Sequence, residues 1–188
     1  SASYHLRQAG FRVDMSLHNQ DMDILDNILG VLQDHNLAGV ILTPTGLEKS
    51  QFIERVERLS SSLPVLLVAR YYPELPNYDY VGVDNAEIGY QATRHLVELG
   101  HQKIVFLGAP AATSGADRAR GYLRAINEAG LECIIYVPPS ERYNPIYEIT
   151  CNTFFWEPNE FWQKVIRGQF SAAVCFNDQV AGWAQREI

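Results

Sequence analysis

Tyr80-Val81-Gly82-Val83, then Asp84-Asn85 opening a run that ends at Leu99-Gly100, then Lys103-Ile104-Val105-Phe106-Leu107 is the stretch that decides the fold. The outer pieces are short apolar runs rich in Val, Ile and aromatic residues, the composition of strands. Asp84 or Asn85 can accept the first free N–H groups of a helix, and Gly100 is a residue that ends one. Strand, helix, strand, repeated along the chain, is the pattern of βαβ units and hence of mostly parallel sheets.

The same alternation continues in both directions. Upstream, Pro64–Ala69 is a continuous apolar run of the kind found in sheets covered on both faces. Gly39–Thr43 is a second such strand, ended by Pro44. The segment opening at Asp21 and Asp23 carries Ile24, Leu25, Ile28, Leu29 and Leu32 at helical spacing, and Leu47–Leu59 carries Phe52, Ile53, Val56 and Leu59 on one face. Leu6 and Ala9 read as the tail of a helix stopped by Gly10, and Phe11–Leu17 as a strand. Downstream, Gly108–Ser114 is a small-residue loop, Ala116–Ala129 a helix ended by Gly130, and Glu132–Val137 a strand. Pro138–Trp156 is the least regular stretch. Asn159–Arg167 reads as a short helix, Ala172–Phe176 as a strand, and Asp178 opens a last helix. The expected architecture is α/β, with mostly parallel, doubly wound sheets. Strands 103–107, 132–137 and 172–176 alone would leave a poorly covered edge, so more chain is expected on one or both sides.

Composition narrows the function. The chain has 188 residues, 47% hydrophobic and 20% charged, which is ordinary globular usage. Its net charge of −7 is wrong for a surface that grips duplex phosphates by itself. Cys133, Cys151 and Cys175 have neither an even number nor a close spacing, and they read as free thiols in a reducing compartment. No apolar run approaches the ~18 residues of a membrane helix, and the first residues have no signal-peptide core. A cytoplasmic protein with no membrane partner is expected.

Ligands of open parallel sheets sit beyond the carboxyl ends of the strands. That rule selects His18–Asn19, Thr43–Thr45, Arg70–Tyr72, Asp84, Gly108–Ser114, the residues from Tyr136 and Asn177–Asp178. Chemistry sorts them. Arg118 can donate two parallel hydrogen bonds to neighbouring hydroxyls or a carboxylate, or be an ordinary surface arginine paired with Asp117 or Glu128. Asn177 and Asp178 offer the donors and acceptors a polyol needs, and each is equally suited to capping the last helix. Asp84 and Asn85 suit a cap or a hinge better than a ligand contact. Arg70, Tyr71 and Tyr72 lie in a strand-end loop where an aromatic face could stack on a sugar ring, or pack on Pro73 and Pro76. His18 either reaches a cleft or sits in a solvated turn. The aromatic cluster Phe154, Phe155, Trp156, Phe161 and Trp162 reads as core or interface.

The order Val81-Gly82-Val83-Asp84-Asn85, Gly89, Ala92-Thr93, His95-Leu96, Leu99-Gly100-His101 and Lys103–Gly108 resembles the central signature of LacI/GalR transcription regulators. Its companions are Ala38–Leu42, Leu63-Pro64-Val65, Ser114, Arg118, Gly121-Tyr122 and Ala173–Asp178. The match covers most of residues 1–137 and 171–188. The region around Arg70–Asn85 and Cys175–Asp178 looks nearest to maltose-regulon repressors. The resemblance implies a two-lobed, type I periplasmic-binding-protein-like fold with lobes at 1–83 and 84–188, crossing near Val83–Asp84. It implies a sugar or sugar-like effector in the cleft and homodimerisation. Operator DNA would be bound by a helix-turn-helix headpiece preceding residue 1. Arg118 matches the family's ligand arginine. Val68-Ala69-Arg70 departs from the common Val-Asp-Arg, so a carboxylate often used on ligand hydroxyls is absent.

Catalysis finds no support. No GxSxG, GxxxxGK[ST], HExxH or strand-following GxGxxG occurs, and five scattered histidines show no metal spacing, so no cofactor or metal is expected. A periplasmic sugar-binding protein of an uptake system is the alternative on the same fold. The His95–His101 signature favours the regulator, and the sequence upstream of Ser1 would decide.

Overall fold

The computed structural model describes residues 2–17, 22–33, 37–43, 49–108, 113–136, 153–155 and 167–187. Its helices are α1 (Ala2–Gln8), α2 (Met22–Gln33), α3 (Lys49–Ser60), α4 (Asn85–Glu98), α5 (Thr113–Glu128) and α6 (Asp178–Glu187). Its strands are β1 (Val40–Leu42), β2 (Val65–Val68), β3 (Asp79–Val81), β4 (Ile104–Leu107), β5 (Ile134–Tyr136), β6 (Thr153–Phe155) and β7 (Ala172–Cys175). They form one sheet in the order β1-β2-β3 and another in the order β6-β5-β4-β7. The chain divides into two compact units, 1–66 and 67–188.

In the second unit all the strand pairs of the four-stranded sheet are parallel, with Phe106 opposite Ile135 and Val174, and Ile135 opposite Phe154. Every residue of β4 and β5 is buried. Alternate side chains serve two layers, as the period of two requires. Ile104, Phe106, Ile135 and Val174 meet Ala119, Tyr122 and Ile126 of α5, with Leu96 and Val97 of α4 against them. Val105, Leu107, Ile134 and Tyr136 meet Val180 and Ala184 of α6. Helices on both faces of a parallel sheet explain why these strands are continuously apolar. The Tyr122 hydroxyl, fully buried, lies within hydrogen-bond reach of the Ile104 and Ile134 carbonyls and accepts from the Ile134 N–H at 2.9 Å.

Helices α4 and α5 pack unusually close. A Cβ on Gly89 would stand 2.0 Å from the Arg118 carbonyl oxygen, and one on Gly121 would stand 1.9 Å from that of Ala86. Only glycine permits backbone contact of this kind, so two reciprocal notches fix the spacing and register of the pair.

Among the described residues of the first unit, the buried side chains are Leu25 and Leu29 of α2 and Phe52, Val56 and Leu59 of α3; of the other positions picked out by helical spacing, Ile28 and Ile53 are half-buried and Ile24 is exposed. Arg55 of α3 donates two hydrogen bonds of 2.5 Å to the Asp26 carboxylate of α2.

Two expectations fail. Phe11–Leu17 is not a strand; it has no regular structure, and Phe11, Met15 and Leu17 are exposed. A strand exists only by exchanging hydrogen bonds with a neighbour, and β1-β2-β3 provides none for it. The second sheet has a fourth strand, β6, inside the stretch that reads as least regular. Its Thr153-Phe154-Phe155 is too short for period alone to mark, and pairing with β5 is what makes it a strand. The short helix expected at 159–167 lies largely outside the described residues.

Candidate functional site

Parallel pairing brings the carboxyl ends of β4, β5 and β7 to one edge of the second sheet. There the Gly108 N–H donates to the Tyr136 carbonyl, and the Phe176 N–H donates to that of Leu107 at 2.7 Å. Arg118, in the second turn of α5, reaches this edge. Its Nε donates to Asn85 Oδ1 at 2.9 Å and its Nη1 to the Phe176 carbonyl at 2.5 Å, with the guanidinium carbon 5.5 Å from the Phe176 ring centre. Arg118 is therefore not a surface arginine paired with Asp117 or Glu128. Asp117 pairs with Arg120 instead, and Glu128 accepts from Tyr90 at 2.7 Å. Of the five N–H groups of a guanidinium, two are used by these bonds, and the rest meet no acceptor among the described residues. Arg118 is half-buried, so these donors are held in place at a partly desolvated position.

Asn177 is separated from β7 by one residue and caps α6, its Oδ1 accepting from the Val180 N–H at 2.9 Å. Its neighbour Phe176 carries the carbonyl that Arg118 holds, so the arginine and the asparagine share one corner of the sheet edge. Asp178 is exposed at the first position of α6, where a carboxylate also suits the helix dipole.

Arg70 and Tyr71 are half-buried in the loop after β2. Tyr71 donates its hydroxyl to Asp117 Oδ2 at 3.2 Å, and the Thr113 hydroxyl donates to the Tyr71 carbonyl at 2.9 Å. Its ring meets Tyr80 edge-on, with centres 5.4 Å apart. The loop is thus fastened to the first turns of α5. Partial burial, then the nearby Tyr71 and Asp117, push the Tyr80 hydroxyl above the usual phenol range. Ala69, the last residue of the apolar run before Arg70, has φ +69°. That left-handed conformation suits Asp or Asn better than alanine.

Asp84 is the cap of α4, its carboxylate accepting from the Glu87 N–H at 2.9 Å. Asn85 is buried, 4% exposed, and donates Nδ2 to the Val83 carbonyl at 3.3 Å. His18 lies outside the described residues, as do Trp156, Phe161 and Trp162. Sequence reasoning missed three partners: Asn85 for Arg118, Asp117 for Tyr71, and the Phe176 carbonyl. Asp117 and Asn85 are visible in the sequence as polar residues, but neither pairing is local. A backbone carbonyl leaves no mark in sequence at all.

The family model described as periplasmic binding proteins and sugar binding domain of LacI family matches residues 2–184. The chain belongs to this family. It is 25% identical over 185 residues to an arabinose metabolism transcriptional repressor of Halalkalibacterium halodurans, a match covering 94% of this chain and 46% of that protein. It is 29% identical over 126 residues to the HTH-type transcriptional regulator DegA of Bacillus subtilis, covering 66% and 37%. The chain thus spans about half the length or less of these relatives. Among solved structures, a periplasmic binding protein/LacI transcriptional regulator of Alkaliphilus metalliredigens, complexed with D-xylulofuranose, superposes with a TM-score of 0.71 at 20% identity, covering 98% of this chain and 63% of that one. Transcription regulator CcpA of Lactococcus lactis gives a TM-score of 0.68 at 16% identity, covering 94% and 60%. The fold is the type I periplasmic-binding-protein-like α/β fold expected from the motifs. The named relatives are transcription regulators. No described helix is long and apolar enough to cross a membrane.

Proposed function

We propose that this chain is the effector-binding and dimerisation module of a sugar-responsive transcriptional repressor. A small sugar or related polyol binds between lobes 1–83 and 84–188. Arg118 is its anchor, with Asn177 and Asp178 on the same sheet edge. Arg70 and Tyr71 contribute from the loop after β2, together with His18. Val83, Asp84 and Asn85 form the hinge. Operator DNA is held by a headpiece of the whole protein, in the cytoplasm, and a homodimer spaces two headpieces to match two half-sites. The effector acts by binding one lobe angle better than the other, and only that difference in affinity can move the equilibrium.

The observation that carries this reading is the Arg118 guanidinium: half-buried, held at Nε and Nη1, with its remaining donors uncommitted among the described residues at the carboxyl edge of a parallel sheet. A planar fork fixed in this way can take two adjacent hydroxyls. Calorimetric titration with a panel of aldoses and ketoses that includes L-arabinose and D-xylulose tests it. Binding heat from at least one sugar is expected with the wild type. Arg118→Ala abolishes that heat, whereas an unchanged affinity would remove Arg118 from the site.

A further inference from the structure

Asn85 has a buried side-chain amide that helix capping does not explain, because Asp84 already satisfies the Glu87 N–H. A buried amide without hydrogen bonds is costly. This one has both ends occupied: Oδ1 accepts from Arg118 Nε at 2.9 Å, and Nδ2 donates to the Val83 carbonyl at 3.3 Å. Asn supplies one donor group and one acceptor group in the same plane, which no carboxylate or aliphatic side chain does.

Helix α4 grips Arg118 a second time, four residues on. Asn85 and Gly89 share one face of α4, and Gly89 lies directly against the Arg118 carbonyl. The reciprocal Gly121–Ala86 contact prevents α5 from sliding. The backbone of Arg118 is therefore fixed by two glycine notches, and its side chain by one amide.

We propose that Asn85 is a positioning residue, holding the Arg118 guanidinium by Nε and tying it through the Val83 carbonyl to the backbone that leads into α4. The functional side of this inference rests on Arg118 being the effector arginine; the hydrogen-bond relay itself does not. A load on the guanidinium reaches Val83 through two hydrogen bonds, with no other side chain intervening.

Nitrogen-15 spectra of the arginine Nε–H groups, together with carbonyl carbon-13 shifts, test the relay on the ligand-free chain. In the wild type the Arg118 Nε–H signal is slow to exchange with solvent. Asn85→Ala removes the acceptor, so that signal is lost and the Val83 carbonyl shift moves. Asn85→Asp restores an acceptor but not the donor: the Nε–H signal returns while the Val83 shift stays displaced. In Arg118→Lys, which leaves Asn85 intact, the Asn85 side-chain amide pair shifts. An unchanged Nε–H signal in folded Asn85→Ala overturns the proposal, as does its loss in both Asn85 variants. If Asn85→Ala does not fold, Asn85→Asp and Arg118→Lys decide alone. Because the spectra use no sugar, failure of the calorimetric test of Arg118 leaves this result standing, and the converse also holds.

Discussion

The two sheets of this chain are built from similar apolar runs and end in opposite conditions. Strands β4 and β5 are buried at every residue, while all of β3 is exposed and Ile41 of β1 is half-exposed. The difference lies in what covers them. Helices α4, α5 and α6 bury both faces of the second sheet, whereas the first unit buries its apolar area mainly on α2 and α3. An apolar strand is a request for neighbours, and only the surrounding chain grants it. The proposed effector residues divide as well: Arg118, Asn177 and Asp178 border the second sheet, whereas Arg70 and Tyr71 lie in the loop between β2 and β3.

Matched truncations in the two sheets should separate most widely. Phe106→Ala, at a fully buried position, is expected to cost about 3–5 kcal/mol, whereas Ile41→Ala, at 50% exposure, should stay within about 0.5 kcal/mol. Urea midpoints measure both, and similar losses would break the contrast. A smaller effect sharpens it. Tyr122→Phe keeps the ring but leaves the Ile134 N–H without that acceptor, so a loss of about 1–3 kcal/mol is expected with little change in the far-ultraviolet spectrum.

The smallest effect belongs to the first unit. The Arg55 hydrogen bonds, and secondarily its charge, hold the Asp26 carboxyl below the usual carboxylate range. The pair is partly open to solvent, with side-chain exposures of 18% and 39%, so Asp26→Asn should cost only about 0.5–1 kcal/mol at neutral pH. A folded pKa below the unfolded one means that this contribution is complete above the unfolded value and disappears as pH falls through the folded one. Wild type and variant should therefore converge as the pH falls below the ordinary aspartate value of 3.8. A gap that widens in acid would reverse the assigned sign.

Much of the second unit was legible residue by residue. Asp84 and Gly100 bracket α4 as capping chemistry requires, and the Val/Ile/Phe run of β4 marks a strand; the cover on both faces expected of Pro64–Ala69 is found at β4 instead, while in β2 only Leu67 is fully buried. The failures have a common cause. Phe11–Leu17 has strand composition and no partner strand among the described residues, and Thr153–Phe155 has a partner and too few residues to display a period. Pairing is a relation between distant segments, and local composition does not record it. Arg118 followed the same rule: its identity as a candidate came from the motif, but its partners Asn85 and Phe176 are 33 and 58 residues away.

The sequence by itself determined the alternation of strand and helix, the parallel sense of the second sheet, the family, and the residue types able to meet a sugar. Those follow from capping, periodicity and donor–acceptor chemistry, all of which act over a few residues. Tertiary structure alone decided which strands found neighbours, that Asp117 belongs to Tyr71 and Arg120 rather than to Arg118, and that a buried amide joins Arg118 to Val83. Those choices depend on helices brought within backbone contact at Gly89 and Gly121, and a hydrogen bond forms only where packing has already set its two ends about 3 Å apart.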